Sequence, residues 1–428
     1  MSNRPEQPSA RPYRDGHRTS HWGVLVGSVL CVLALVVTAL YGWRIGWFAS
    51  MTGNDAAASS ATADAARNTP QQLARSAAPK PDPSPASKAH RMVNAMDMDT
   101  RIGQLVMAPL YAGNAPASLS SLIADRHVGS VLIIGKWTGG VASVRAAADQ
   151  LQGYAPGDNR LIISTDQEGG WVQHLTGPGF DRMPTAVDQG TMSTNQLRQS
   201  ASVWGSQMAA AGINVDLAPV LGTVVVNRAA NAPIGALYRD FGLDAEGNAA
   251  HGTAFVQGMA DAGVQSAIKH YPGLGAVTDN TNFTADGILD TTTTLDGTEI
   301  KAFDTTIDQA NPAMVMMALA TYQAIDPNNP AVFSSIIIDG HLRGDLGYDG
   351  VVISDSMSAA AVSAYDTTQL GVKLVEAGGD LACIGDTNYV VPILDGLSTR
   401  TASDPAFANK VTQSAIRVMT LKIKMGLA

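Results

Sequence analysis

The chain has 428 residues, 45% of them hydrophobic and only 15% charged, with a formal net charge of −9. So little charge and so much apolar content exclude a chain that is disordered overall, and the acidic balance argues against a nucleic-acid binder. Cys31 and Cys383 are the only cysteines, too few for a disulfide scaffold or a cysteine-rich zinc site.

Residues 1–21 form a basic tail with Arg4, Arg11, Arg14 and Arg18. The next 22 residues, Trp22 to Trp43, carry no charge. As a helix they would extend about 33 Å, enough for a bilayer core of about 30 Å. Trp22 lies at one end and Tyr41, Trp43 and Trp47 at the other, as an interfacial belt requires. The preceding arginines keep the N-terminus in the cytoplasm and send the rest outward. A cleaved signal peptide would have a shorter apolar core and a small-residue exit, whereas this one ends in YGWRIGWF. Leu30 before Cys31 is a poor fit to a lipid-modified cysteine. An uncleaved transmembrane anchor at 22–43 is expected, with the remainder outside the membrane.

Residues 44–88 are rich in Ala, Ser and Pro, and from residue 50 onward large apolar side chains almost vanish. Such a stretch cannot offset its ordering entropy and reads as a disordered linker. Residues 1–88 hold nine Lys and Arg against five Asp and Glu, a net of +4, which leaves −13 on residues 89–428.

From residue 89 short apolar runs alternate with helical patterns. The expected strands are 104–110, 129–134, 161–166, 214–221, 266–270, 314–319, 351–355 and 380–384. Most are almost continuously apolar, as strands covered on both faces are. Helical patterns fall at 141–153, 194–212, 245–262, 297–309 and 367–377. Eight strands with intervening helices predict an α/β fold, a (β/α)8 TIM barrel over 89–428. A doubly wound sheet would show a Gly-rich loop after its first strand; here that strand leads into YAGNAPAS.

In a barrel, chemistry belongs at the C-terminal ends of the strands. Strand three ends in Asp166-Gln167-Glu168-Gly169-Gly170, strand five in Lys269-His270-Tyr271-Pro272-Gly273 and strand seven in Asp355-Ser356-Met357. Turn formation explains the glycines. It does not explain Lys269, a cation inside an apolar run that needs a partner.

The segments STDQEGGWVQHL (164–175), INVDLAPVL (213–221), Arg239-Asp240-Phe241-Gly242, IKHYPGLG (268–275) and VVISDSM (351–357) occur in an order that resembles the catalytic barrel of glycoside hydrolase family 3. The likeness is to its single-domain bacterial β-N-acetylglucosaminidases. It implies retaining hydrolysis of a β-linked N-acetylglucosamine or β-glucoside, with peptidoglycan as an accessible substrate, and no cofactor or metal. It implies Asp355 as the nucleophile that forms a glycosyl-enzyme intermediate, and Asp166, Arg239, Lys269 and His270 as sugar-binding groups. A monomer is expected.

The chain departs from the family's pattern in the loop after strand five. KHYPGLGAVTDNTNFTAD has Leu274 where the family has a histidine, and Asn280-Thr281-Asn282 where an Asp-Ser-His acid motif should stand. An asparagine amide cannot supply a proton. Asp279, Asp286 and Asp290 are the carboxyls that could replace the missing acid. Trp171 stands in place of an arginine and could stack on a sugar or cover the barrel top; Gly222 and Ser356 replace aspartates. His174, also on the barrel top, could reach the site but reads more readily as a surface residue. Three readings stay open: a hydrolase with a carboxyl acid, an enzyme restricted to good leaving groups, and a cell-wall sugar-binding protein without turnover.

Overall fold

The computed structural model describes residues 84–284 and 288–428. The tail 1–21, the expected anchor 22–43, the linker up to residue 83 and Asp286 lie outside the described residues. Among the described residues no helix is long and apolar enough to cross a membrane.

Eight strands pair in parallel and in chain order: β1 (Val106–Tyr111), β2 (Ser130–Ile134), β3 (Ile162–Thr165), β4 (Val215–Asp216), β5 (Gln265–Tyr271), β6 (Met314–Met317), β7 (Val351–Ser354) and β8 (Ala382–Cys383). β8 pairs with β1, and the ring closes where the Ser354 N–H donates to the Leu381 carbonyl at 3.0 Å. The expected α/β barrel is therefore the observed fold. Alternation along each strand explains the continuous apolar runs. Met107, Leu132, Ile162, Val215, Ala267, Met314 and Val351 fill the barrel interior, while Val106, Val131, Ile163, Ile268, Val315 and Val352 pack under the helices.

The chain's amphipathic segments form the outer layer. They are α1 (Pro85–Ala95), α2 (Gly140–Gln152), α3 (Thr194–Ala210), α4 (Ala245–Asp261), α5 (Thr298–Ala310), α6 (Thr367–Glu376), α7 (Val390–Ser403) and α8 (Pro405–Lys424). Side-chain caps set several starts. Ser193 and Gln196 form a reciprocal capping box on α3, and the Asp244 carboxylate accepts from the Gly247 N–H on α4. A wide-turn helix, Ile336–Asp345, follows β6.

The expected strand 214–221 is cut to Val215–Asp216, the Ile336–Asp345 helix was not expected, and the two ends of the barrel also differ from the sequence reading. α1 starts at Pro85, four residues inside the segment read as linker, because Ser84 caps it, Pro85 fits the first turn, and Ala89 and Val93 are buried. The sequence reading assigned neither C-terminal helix, and α8 closes the barrel floor. Val418 and Leu421, with Leu427 beyond the helix, pack against the interior layer at the N-terminal ends of the strands.

Candidate active site

A cavity of about 460 Å³ opens at the C-terminal end of the barrel. Asp166, Arg239, Lys269, His270 and Asp355 all line it, together with His174, Asn280, Thr281, Asn282 and Ser356. Asp166 directly follows β3, β5 supplies Lys269 and His270, and Asp355 directly follows β7.

Local backbone chemistry builds each wall. After Asp166 the chain folds into a small antiparallel hairpin, Gln167–Gly169 with Val172–Gln173. Gly169 and Gly170 turn it at φ +95 and +58, a region that favours glycine. At Gly275, a Cβ would collide with the Thr223 carbonyl, and at Gly222 it would press on Ile234 and the Leu274 backbone. The loops after β4 and β5 touch there, which accounts for glycine at 222 where an aspartate was expected.

One corner of the site is a closed ion network. Lys269 Nζ lies 2.5 Å from Asp166 Oδ1 and 2.7 Å from Glu168 Oε1. Arg239 grips Glu168 through two hydrogen bonds, 2.8 and 2.7 Å, and donates a third to the Pro233 carbonyl. Burial by itself would raise the Glu168 carboxyl; the charges of Arg239 and Lys269 outweigh it and hold the group well below the usual carboxylate range. Burial likewise opposes the charge on Lys269, and Asp166 and Glu168 overcome it, so its ammonium is held more tightly than usual. Glu168 went unassigned in the sequence. It stands two residues past Asp166, the spacing of one strand face, and that was the available signal.

Asp355 sits outside this network. Its Oδ1 accepts from the Ser356 N–H at 2.7 Å, and its Oδ2 lies 3.9 Å from His270 Nε2. Burial raises the Asp355 carboxyl above its ordinary value, against the pull of the Ser356 N–H, Lys269 and Arg239. Burial, then Arg239 and Lys269, push the His270 imidazole well below its usual range, so it is neutral at neutral pH. Its Nδ1 is buried and finds no hydrogen-bond partner among the described residues.

The other expected residues fall elsewhere. Trp171 is 77% exposed on the hairpin turn and does not line the cavity. Asp279 is exposed and also outside the lining, which instead takes the neutral Asn280, Thr281, Asn282 and Phe283 from that loop. Asp290 is buried and spent on the turn that follows it, accepting from the Thr292 and Thr293 N–H groups at 2.8 Å each and from both hydroxyls. His174, read as a surface residue, lies in the cavity wall with its Nε2 3.8 Å from Asp166 Oδ2. Among the described residues no cluster of three or more His, Cys, Asp or Glu side chains could hold a metal ion.

Comparison with known proteins agrees with the barrel fold. Residues 97–421 match the model of the glycosyl hydrolase family 3 N-terminal domain. A beta-hexosaminidase of Alkalilimnicola ehrlichii is 31% identical over 300 residues, 67% of this chain and 83% of that protein. The beta-hexosaminidase LpqI of Mycobacterium tuberculosis is 30% identical over 322 residues, covering 72% of this chain and 78% of its own. The crystal structure of a beta-N-acetylhexosaminidase from Beutenbergia cavernae superposes with a TM-score of 0.74 at 40% identity, over 77% of this chain and 99% of that one. The chain belongs to glycosyl hydrolase family 3, and its barrel is that family's N-terminal domain.

Proposed function

We propose that this protein is a retaining β-N-acetylhexosaminidase with Asp355 as its nucleophile. One observation carries the reading. Of the three carboxylates Asp166, Glu168 and Asp355, the first two are matched by Lys269 and Arg239, while Asp355 has no Lys or Arg in direct contact among the described residues. The surplus negative charge therefore rests on the group that lines the cavity at the end of β7. A carboxylate so placed can attack an anomeric carbon and stabilise the cation-like transition state. Oδ2, which has no hydrogen bond within the protein among the described residues, is the attacking atom. The C1–O bond to the leaving group breaks, a glycosyl ester forms on Asp355, and water then cleaves that ester at C1 with retention. Lys269, Asp166 and the neutral His270 hold the ring hydroxyls. The names of the relatives support an N-acetylhexosaminide as the sugar.

The leaving oxygen needs a proton. With Asp279 exposed and Asp290 spent on its turn, Asp286 remains the carboxyl of the β5 loop to which we assign this step. The uncharged segment Trp22–Trp43 supports a membrane anchor. A linker of about 40 residues would give the barrel a root-mean-square reach of roughly 35 Å. Peptidoglycan near the outer membrane face is then the substrate within reach.

The test pairs an aryl β-N-acetylglucosaminide with a natural β-linked N-acetylglucosamine glycan. Asp286→Asn is expected to lower natural-glycan hydrolysis by about 10²- to 10⁴-fold and to spare the aryl substrate. Equal loss on both substrates would remove Asp286 from the role. The neutral wall Asn280-Thr281-Asn282 favours a second reading, sugar binding without turnover. That reading requires saturable binding of N-acetylglucosamine and no release of product from either substrate.

A further inference from the structure

Two loops from neighbouring strands line part of the cavity mouth. The loop after β4 supplies Pro233 and Arg239; the loop after β5 supplies Leu274 and the neutral Asn280-Thr281-Asn282 wall. Both lie beyond the barrel sheet, so strand pairing does not fix one against the other.

The side chain of Asn231 joins them. It is fully buried and lies outside the cavity lining. Its Nδ2 donates to the carbonyls of Leu274 and Val277 in the β5 loop, at 2.7 and 2.6 Å. Its Oδ1 accepts from the Gly235 N–H in its own loop, at 2.6 Å. A planar amide offers two donors beside an acceptor, so one group serves both loops. Backbone bonds flank the link. The Val225 N–H donates to the Gly275 carbonyl at 3.1 Å, and the Ala232 N–H to the Thr278 carbonyl at 3.3 Å. On the β4 side the same segment seats Arg239, which donates its backbone N–H to the Ile234 carbonyl at 3.1 Å and its side chain to the Pro233 carbonyl at 2.8 Å. The short stretch 231–235 therefore holds both the link to the β5 loop and the seat of Arg239.

We propose that Asn231 is a positioning residue: its amide fixes the wall formed by the β5 loop against the Arg239 corner, and so sets the spacing across the cavity mouth without touching substrate. The inference rests on the proposed hydrolysis at Asp355, for which a substrate must fit between those two sides. A misplacement of about 1 Å can cost about a hundredfold in rate while the groups that grip the sugar stay in place.

Asn231→Asp cuts the link on one side only. The carboxylate still accepts from the Gly235 N–H, but it has no donor for Leu274 and Val277, whose carbonyls repel it. Burial raises the pKa of the new carboxyl, and once protonated it regains one donor. On an aryl β-N-acetylglucosaminide at about pH 8, kcat per folded molecule should fall roughly tenfold to a hundredfold, with binding of free N-acetylglucosamine kept within a few-fold of wild type. The loss should shrink as the pH falls and the carboxyl protonates. Asn231→Ser keeps one hydroxyl donor and does not ionise in this range. It should lose less, with no pH dependence beyond that of wild type, and it carries the test if the aspartate variant does not fold. Hydrogen exchange at the Val225 and Ala232 N–H groups should quicken in either variant, while Gly235 stays protected in Asn231→Asp. Unchanged kcat per folded molecule, or unchanged exchange at Val225 and Ala232, overturns the proposal. An equal loss of N-acetylglucosamine binding overturns it too, since Asn231 would then act through the sugar-holding corner. No turnover by the wild type, with the exchange pattern as expected, would sink the hydrolase reading and leave the link between the loops standing.

Discussion

Two lysines are buried at opposite ends of the same barrel, and they titrate in opposite directions. At the C-terminal end Lys269 is enclosed by Asp166 and Glu168, which overcome the cost of burial and keep it charged. At the floor Lys422 donates, among the described residues, to the neutral side-chain oxygens of Gln104 and Asn159, at 2.7 and 2.8 Å, and burial pulls its pKa down to about 7. The burial is alike and the partners are not. A buried charge answered by opposite charge makes an electrostatic instrument; one answered by amides is a packing element that carries a desolvation cost.

The functional end can be broken in two ways. Asp355→Ala should cause the largest effect, a fall in kcat of about four orders of magnitude or more on an aryl β-N-acetylglucosaminide. Its melting temperature should hardly move, because Asp355 takes no part in the Lys269 network. Glu168→Gln does the reverse. It leaves Lys269 and Arg239 without a shared anion in a buried site, and should destabilise the fold by about 3–5 kcal/mol in urea unfolding. Activity in that variant should be lost through the displaced Lys269 even where the protein is folded. An unchanged urea midpoint would show that the network is not closed as described.

The same contrast explains what the sequence could reveal. Strands were legible because runs such as VLII and VVIS are covered on both faces. Lys269 was legible as a site residue because a cation within such a run demands a partner. The Lys422 helix was not assigned, although Val411, Ala415, Val418 and Leu421 recur at helical spacing and are buried; only the last two reach the interior layer of the barrel. His174 was ranked as a surface residue ahead of a site residue. Its position depends on the Gln167 side chain, which clamps the Leu175 backbone, and on the Trp137 N–H, which donates to its carbonyl; neither leaves a local pattern. Asp279 and Asp290 resembled each other in sequence as loop carboxyls. Only the fold shows that one faces solvent and the other is consumed by Thr292 and Thr293.

The floor gives a smaller, pH-dependent effect. Lys422 releases its proton near pH 7 in the folded state and near its ordinary 10.5 when unfolded. Between these values the unfolded chain binds more protons, so stability should rise with pH from 7 toward 10.5. The slope from this one group can reach about 1.4 kcal/mol per pH unit. Lys422→Met should flatten that slope in urea unfolding and match or exceed wild-type stability at pH 7. Lys269→Met should instead destabilise at pH 7, because Asp166 and Glu168 would lose their cation. Equal responses from the two variants would erase the distinction between the ends.

Trp171 marks where the functional end stops. It is 77% exposed on the turn of the hairpin whose far side carries His174 into the cavity. Trp171→Ala should therefore change stability by less than about 0.5 kcal/mol, and kcat/KM on a monosaccharide glycoside should stay within about twofold. A longer glycan sharpens the point, because an aromatic face outside the cavity can touch only units beyond the first. A selective rise in KM for oligosaccharides, with kcat held, would place Trp171 at an outer sugar. The same KM for both substrates would make it a cover on the barrel rim, and the working surface would then end at His174.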